Sequence, residues 1–335
     1  MMRHAKQGAA ALLCCAALAL AFAGAGWLRR VYPAFGLRYF QPLTEAQVQR
    51  AGETAAKDGV YGLTFWREET GTLARESQRV AAGAVRFYGE GAACYPAEFL
   101  RGGYPGAGDA AGCALSSEAA WRLFGSEDVV GQTVEFGEER YTVRGVFRGG
   151  EPLALLGAEA QDGFTHVELA GTPAGDARDA ALAFALTAGL GAPDQLCYGQ
   201  SIAGFATACC FLPLLAAAWR LLCAGLRASR RMPPVARQVL WFGLALAFAL
   251  CLPLALQSLP GWLVPAKWSD FSFWTSLAQT LGERFREWFA LRPALKDVQA
   301  KQAMLACAAG LVTALWAERK LKEGAVPGTA PSLFF

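Results

Sequence analysis

The chain has 335 residues, of which 54% are hydrophobic and 18% charged, and a formal net charge of +3. That balance departs from an ordinary soluble protein and points to a chain partly dissolved in lipid. The small positive charge argues against nucleic acid as a partner.

The apolar stretches are local. Ala9 to Leu28 carries no charge and, at about 20 residues, is long enough to cross a hydrocarbon core of roughly 30 Å. Arg3 and Lys6 precede it and Ala21-Phe22-Ala23 has an A-x-A-like form. Residues 1–29 therefore read as a signal-like transmembrane anchor or as a cleaved signal, and either sends the next segment across the membrane.

Residues 30–200 read as a folded external domain. Leu43 to Asp58 is a predicted helix opened by Thr44, with Val48 and Ala51 on one stripe, and predicted strands follow at Val60 to Trp66 and Arg79 to Tyr88. The run RGGYPGAGDAAG, residues 101–112, is a turn-rich loop; it lacks the Lys-Ser/Thr of a phosphate cradle. Residues 113–147, CALSSEAAWRLFGSEDVVGQTVEFGEERYTVRGVF, hold a short helix capped by Ser116 and Ser117 and ended by Gly125. A hairpin follows, with Val134, Phe136, Tyr141 and Val143 on one face and Gly137-Glu138-Glu139 in the turn. A strand at Phe164 to Leu169 and an Ala-rich helix at Asp176 to Leu190 complete an interleaved α+β pattern.

Three more apolar runs follow: Ile202 to Cys223, Val239 to Leu259 and the shorter Ala303 to Ala317. The last crosses only by borrowing Val298 to Gln302 with Lys301 snorkelling; otherwise it is a buried soluble helix. The expected architecture is thus an α+β external domain inserted after the first span of an α-helical membrane protein with four transmembrane helices. Residues 201–260 hold helices two and three with their basic loop, residues 261–302 an external amphipathic segment, and residues 303–335 helix four and a tail. Arg220, Arg227, Arg230, Arg231 and Arg237 cluster without an acid, which places that loop in the cytoplasm. Counting outward puts residues 30–200 outside, and the N-terminus and the tail with Arg319, Lys320 and Lys322 inside; Arg29, Arg30 and Arg38 run against this order. In the outer segment Phe271, Trp274, Leu277, Leu281, Phe285, Trp288 and Phe289 fall near helical spacing. That helix, with Trp262, Trp268, Trp274 and Trp288 as anchors, lies in the outer interface or packs beneath the external domain.

Of ten cysteines, Cys94, Cys113 and Cys197 face outside, and Cys94 with Cys113, flanking the same Gly-rich loop, is the candidate disulfide. The two histidines, His4 and His166, have no partner motif, and His166 reads as an ordinary strand residue. Glu68-Glu69 and Glu138-Glu139 read as solvated turn charges. Without convergent nucleophile, base or metal-ligand spacing, no catalytic residue, cofactor or metal is expected, and the chain does not read as an enzyme.

Ala114-Leu115-Ser116-Ser117-Glu118, Leu123-Phe124-Gly125, Val130-Gly131-Gln132-Thr133-Val134 and Tyr141-Thr142-Val143-Arg144-Gly145-Val146-Phe147 together resemble a string in the external core domain of MacB/FtsX-type ABC transporter permeases. Tyr95-Pro96-Ala97-Glu98-Phe99-Leu100-Arg101-Gly102-Gly103 resembles the segment leading to it, and the one-plus-three span order is similar too. The resemblance implies a multi-pass subunit of the plasma membrane that relays motion between a separate cytosolic ABC ATPase and its external domain, paired with an identical or different permease chain. The family's coupling segment after the second span carries Glu-Ile-Gly. Here LRASRRMPPVARQ, residues 226–238, has no such triplet and contains Pro233-Pro234, which interrupts a helix. Arg227, Arg230, Arg231 and Arg237 are the candidate ATPase-facing residues, and the alternative is a membrane-anchored external binding or sensor protein that has lost the motor.

Overall fold

A computed structural model describes residues 2–171, 177–229, 233–258 and 271–325. The elements in chain order are α1 (Met2–Val31), β1 (Phe35–Arg38), α2 (Glu45–Asp58), β2 (Gly62–Arg75), β3 (Gln78–Tyr88), α3 (Gly91–Cys94), β4 (Phe99–Gly102), β5 (Gly112–Ser116), α4 (Ser117–Phe124), β6 (Thr133–Phe136), β7 (Glu139–Phe147), β8 (Leu153–Gly157), β9 (His166–Ala170), α5 (Ala177–Thr187), β10 (Gln195–Cys197), α6 (Gly199–Ser229), α7 (Pro234–Ser258), α8 (Phe271–Ala290) and α9 (Leu295–Ala325). The chain forms two units: one of Arg30–Gln200 with Ala278–Ala300, the other of Met1–Arg29, Ser201–Leu277 and Lys301–Phe335.

The first unit is α+β. Among the described residues its ten strands form one sheet, ordered β10-β1-β9-β2-β3-β8-β5-β7-β4, with β6 pairing β2 and β7. Two pairs, β3 with β8 and β5 with β7, are parallel; the others are antiparallel. Strand alternation divides the core. Phe65, Cys113, Leu115 and Leu156 pack with α2, α5 or α4, whereas Trp66, Ala114 and Leu155 face the other way, together with Val85, Phe87, Cys94, Phe147 and Ala294.

Local chemistry accounts for the helix ends. Thr44 and Gln47 form a reciprocal capping box on α2. Ser116 caps α4, and Gly125 closes it at φ 68°, a left-handed conformation that costs glycine nothing. Ser116 is fully buried; its Oγ accepts from Ala119 N (3.2 Å) and Leu153 N (3.0 Å) and donates to Glu151 O (2.8 Å). Ser116→Ala strands those groups away from water and is expected to cost about 2–3 kcal/mol, read as a lowered urea midpoint.

The hairpin of β6 and β7 buries Val134, Phe136, Tyr141 and Val143 as the alternation requires. Strand β2 continues nine residues past Trp66 because β3 pairs it to its end and β6 pairs Leu73 and Ala74. Glu68 and Glu69 therefore lie within a strand, not in a solvated turn. Glu69 and Glu139 both bind Arg86, and Glu139 also accepts from Tyr141.

Cys94 and Cys113 are both free, buried thiols. Cys113 belongs to the core under α4, and Cys94 to the core on the opposite sheet face. The sheet separates the two sulfurs, so the candidate disulfide does not form.

In the helical unit α1 and α9 pack through small residues. A Cβ on Gly24 would lie 2.8 Å from Ala303 O and Cys307 N, and one on Gly310 would lie 2.7 Å from Ala17 O and Ala21 N, so only glycine admits this approach. Ala17, Ala21, Cys307 and Ala314 are buried along the seam. Phe22 meets Phe211 of α6 edge-on at 5.5 Å, and the Cys210 and Cys307 sulfurs are 3.7 Å apart. Two described helices are long and apolar enough to cross a membrane, Gly8–Val31 and Leu295–Leu321; Gly199–Leu215 within α6 is apolar but shorter.

Candidate functional site

Three strands set the site. Leu37, Val167 and Phe65 face the helix-covered core, so Arg38, Glu168 and Trp66 must point to the opposite face. The register places Arg38 opposite His166 and His166 opposite Trp66, with Glu168 one pleat further along β9. The His166 ring stacks on Trp66 at 4.2 Å. It lies partly exposed in β9, as the sequence reading has it, in a row with Arg38 and Trp66.

The fourth member comes from far along the chain. Lys296, in the first turn of α9, is fully buried, and its Nζ lies 2.5 Å from Glu168 Oε1 and 3.1 Å from Ala93 O. The ammonium also sits 5.2 Å from the Trp66 ring and 5.7 Å from the Tyr32 ring, where aromatic faces favour a cation. Arg38 Nη1 reaches the same Glu168 oxygen at 2.8 Å and Trp66 Nε1 reaches it at 3.1 Å. Burial pushes the Glu168 carboxyl up, but Lys296 and Arg38 outweigh burial and hold it below the ordinary carboxylate value.

The start of α9 is fastened by three further groups. Glu68 Oε1 accepts from Leu295 N at 2.6 Å, Asp297 Oδ2 accepts from Ala294 N at 3.4 Å, and Gln299 donates to Tyr95 OH at 2.8 Å. Asp297 Oδ1 accepts from Tyr32 OH (2.7 Å), which in turn accepts from Trp288 Nε1 (2.8 Å). Carboxylates at a helix N-terminus meet its free N–H groups and dipole. Burial raises Glu68 to about 7, against the lowering effect of Leu295 N–H. A cavity of about 200 Å³, lined among others by Arg38, Glu68, His166, Gln195 and Arg292, adjoins the cluster.

The donor sets are uneven. Glu168 Oε1 accepts three donors while Oε2 accepts none among the described residues, and Arg38 Nε and Nη2 likewise have no partner there. The arrangement holds a helix end by charge. Among the described residues no group of three or more His, Cys, Asp or Glu could hold a metal ion.

Of the residues singled out from sequence, Arg237 is exposed in the first turn of α7. Arg227 lies in the last turn of α6, its side chain outside the description; Arg230 and Arg231 lie outside the described residues, as do Trp262 and Trp268. In α8, Trp288 is buried whereas Phe271 and Phe289 are 84% and 62% exposed. Sequence reading missed Arg38, Glu168 and Lys296. The available signal was a charge inside each apolar strand, FGLRYF and HVELA, where a half-buried strand has no place for one unless it is paired.

No family model and no curated protein matches the chain. Among solved structures it is similar to the extracellular domain of the noncanonic ABC-type transporter YknZ from Gram-positive bacteria, at 14% identity over 42% of this chain and 84% of that one, with a TM-score of 0.35. It is also similar to the periplasmic region of MacB from Actinobacillus actinomycetemcomitans, at 13% identity over 50% of this chain and 89% of that one, with a TM-score of 0.42.

Proposed function

We propose that the chain is a permease-like membrane subunit of MacB/FtsX type, which relays motion between a separate cytosolic ABC ATPase and its external α+β domain. In this reading α1, α6, α7 and α9 are four spans, residues 30–200 lie outside, and the α6–α7 connection with Arg227, Arg230, Arg231 and Arg237 faces the ATPase. The observation that carries it is the seat of α9. One helix runs from Leu295 to Ala325, its first turn is held by a buried charge cluster in the α+β unit, and its later turns are apolar enough to span a membrane. A displaced span would pull on that cluster directly.

A second reading, an external binding or sensor protein without a motor, is favoured by one observation. Residues 226–238, LRASRRMPPVARQ, carry no Glu-Ile-Gly triplet and hold Pro233-Pro234, which interrupts a helix.

Affinity purification of the full chain from native membranes tests the choice. An ABC ATPase is expected to co-purify and to be lost when Arg227, Arg230, Arg231 and Arg237 are changed together to Glu. Recovery of the intact chain with no ATPase would favour the sensor. An engineered thiol at Ser126 should react with an impermeant maleimide on intact cells and one at Ser229 should not; the reverse pattern would overturn both readings.

A further inference from the structure

We propose that Glu168 is a shared latch for which Arg38 and Lys296 compete, so that the α9 end has two stable positions, seated and released. This deepens the coupling reading and rests on it for its purpose, but its chemistry belongs to the α+β unit alone.

The geometry carries the inference. Arg38 and Lys296 are both buried, and among the described residues each has the same single carboxylate as its ion-pair partner, bound at the same oxygen, Oε1. A guanidinium beside a carboxylate normally closes two parallel N–H···O bonds. Here that fork is half made, with Arg38 Nη2 and Nε and Glu168 Oε2 all unpartnered and buried among the described residues. The ammonium of Lys296 binds the same oxygen and holds the carboxylate in this one-sided arrangement. If Lys296 withdraws, the carboxylate is free to turn and offer both oxygens to Arg38, with the adjoining cavity giving the guanidinium room.

Release therefore costs less than breaking an isolated buried pair, because one charge-assisted pairing replaces another and no ion is left bare in the sheet. Lys296 can follow its own helix outward, since its charge is on a four-carbon stem that snorkels readily to water. Seating restores the Ala93 carbonyl bond, the Tyr32 and Trp66 faces and the Glu68 cap. The device thus has partners for its charges in both positions.

Two built-in thiols report on it. Cys94 is buried next to Ala93, the Lys296 acceptor, and shares a core with Ala294. Cys113 is buried on the opposite sheet face and reports unfolding of the unit. The full chain in lipid nanodiscs is treated with N-ethylmaleimide, and modification of each cysteine is followed by peptide mass spectrometry. Lys296→Ala should speed modification of Cys94 about tenfold while Cys113 stays protected. Arg38→Met, which removes the competitor but keeps the stem, should slow modification of Cys94 by a similar factor, because release would then leave the Glu168 carboxylate with the Trp66 N–H but no cation.

These opposite signs distinguish a latch from a static cluster in which each member props the others. Faster or unchanged Cys94 modification in Arg38→Met with Cys113 protected would overturn the proposal. So would exposure of Cys113 in Lys296→Ala, since Arg38 would then have failed to take over the carboxylate. If Arg38→Met itself exposes Cys113, Arg38→Lys decides: a cation that cannot form the fork should also slow Cys94 modification, and a faster or unchanged rate counts against the latch. Because the assay contains no ATPase, the opposite signs would stand even if no motor is ever recovered, and their absence would leave the transport reading to its own test.

Discussion

Glu168→Gln is expected to lower the unfolding midpoint of the α+β unit by about 6–20 °C, measured by tryptophan fluorescence of the full chain in nanodiscs. The substitution keeps the shape and one acceptor but removes the charge that two buried cations share. Breaking a buried pair from one side costs about 3–5 kcal/mol because the remaining charge has lost its solvent without compensation. With two such cations, water must enter the site or the α9 end must leave it. The companion variant combines Glu168→Leu, Arg38→Met and Lys296→Met; it removes all three charges together and should recover most of the loss. An unchanged midpoint in Glu168→Gln would mean that the site is already hydrated.

The second large effect is on pH dependence. The carboxyl of Glu68 is raised from 4.5 to about 7, mainly by burial, with Asp297 adding to the rise and Leu295 N–H, Arg38 and Lys296 opposing it. The folded state thus binds this proton more tightly than the unfolded chain does. Its contribution to stability is fully present below about 4.5 and is lost as pH rises through about 7, a swing of about 3 kcal/mol. Nearby groups titrate in other directions: Glu168 is lowered in spite of burial, and burial with Arg38 and Lys296 holds His166 well below its usual value. The comparison with Glu68→Gln removes them. As pH falls from 8 to 5, the midpoint of the wild-type protein should rise relative to that of the variant. A constant difference would show that Glu68 is fully solvated in the folded protein.

Strong local signals were legible in particular residues. Thr44, Ser116, Gly125 and the alternation through Val134, Phe136, Tyr141 and Val143 each act within a few residues of themselves, and each appears where its chemistry put it. Strand β8 is a counterexample. Leu153 to Gly157 is buried at every position, so it shows no alternation, and only its neighbours β3 and β5 make it a strand. The polar end of β2 was hidden for a related reason, since Glu68 to Arg75 owe their extended form to pairing with β3.

The sequence by itself determined the apolar spans at the two helices that meet the length and hydropathy of a membrane crossing, and the capped helix and hairpin between Ser116 and Phe147, because those features depend on neighbours in the chain. Only the tertiary structure decided that Arg38, Glu168 and Lys296, up to 258 positions apart, share one oxygen, and that a sheet stands between Cys94 and Cys113. The physical reason is the same in both cases. A charge or a thiol carries no local preference for its partner, so which groups meet depends on strand order and register, which the whole chain sets together.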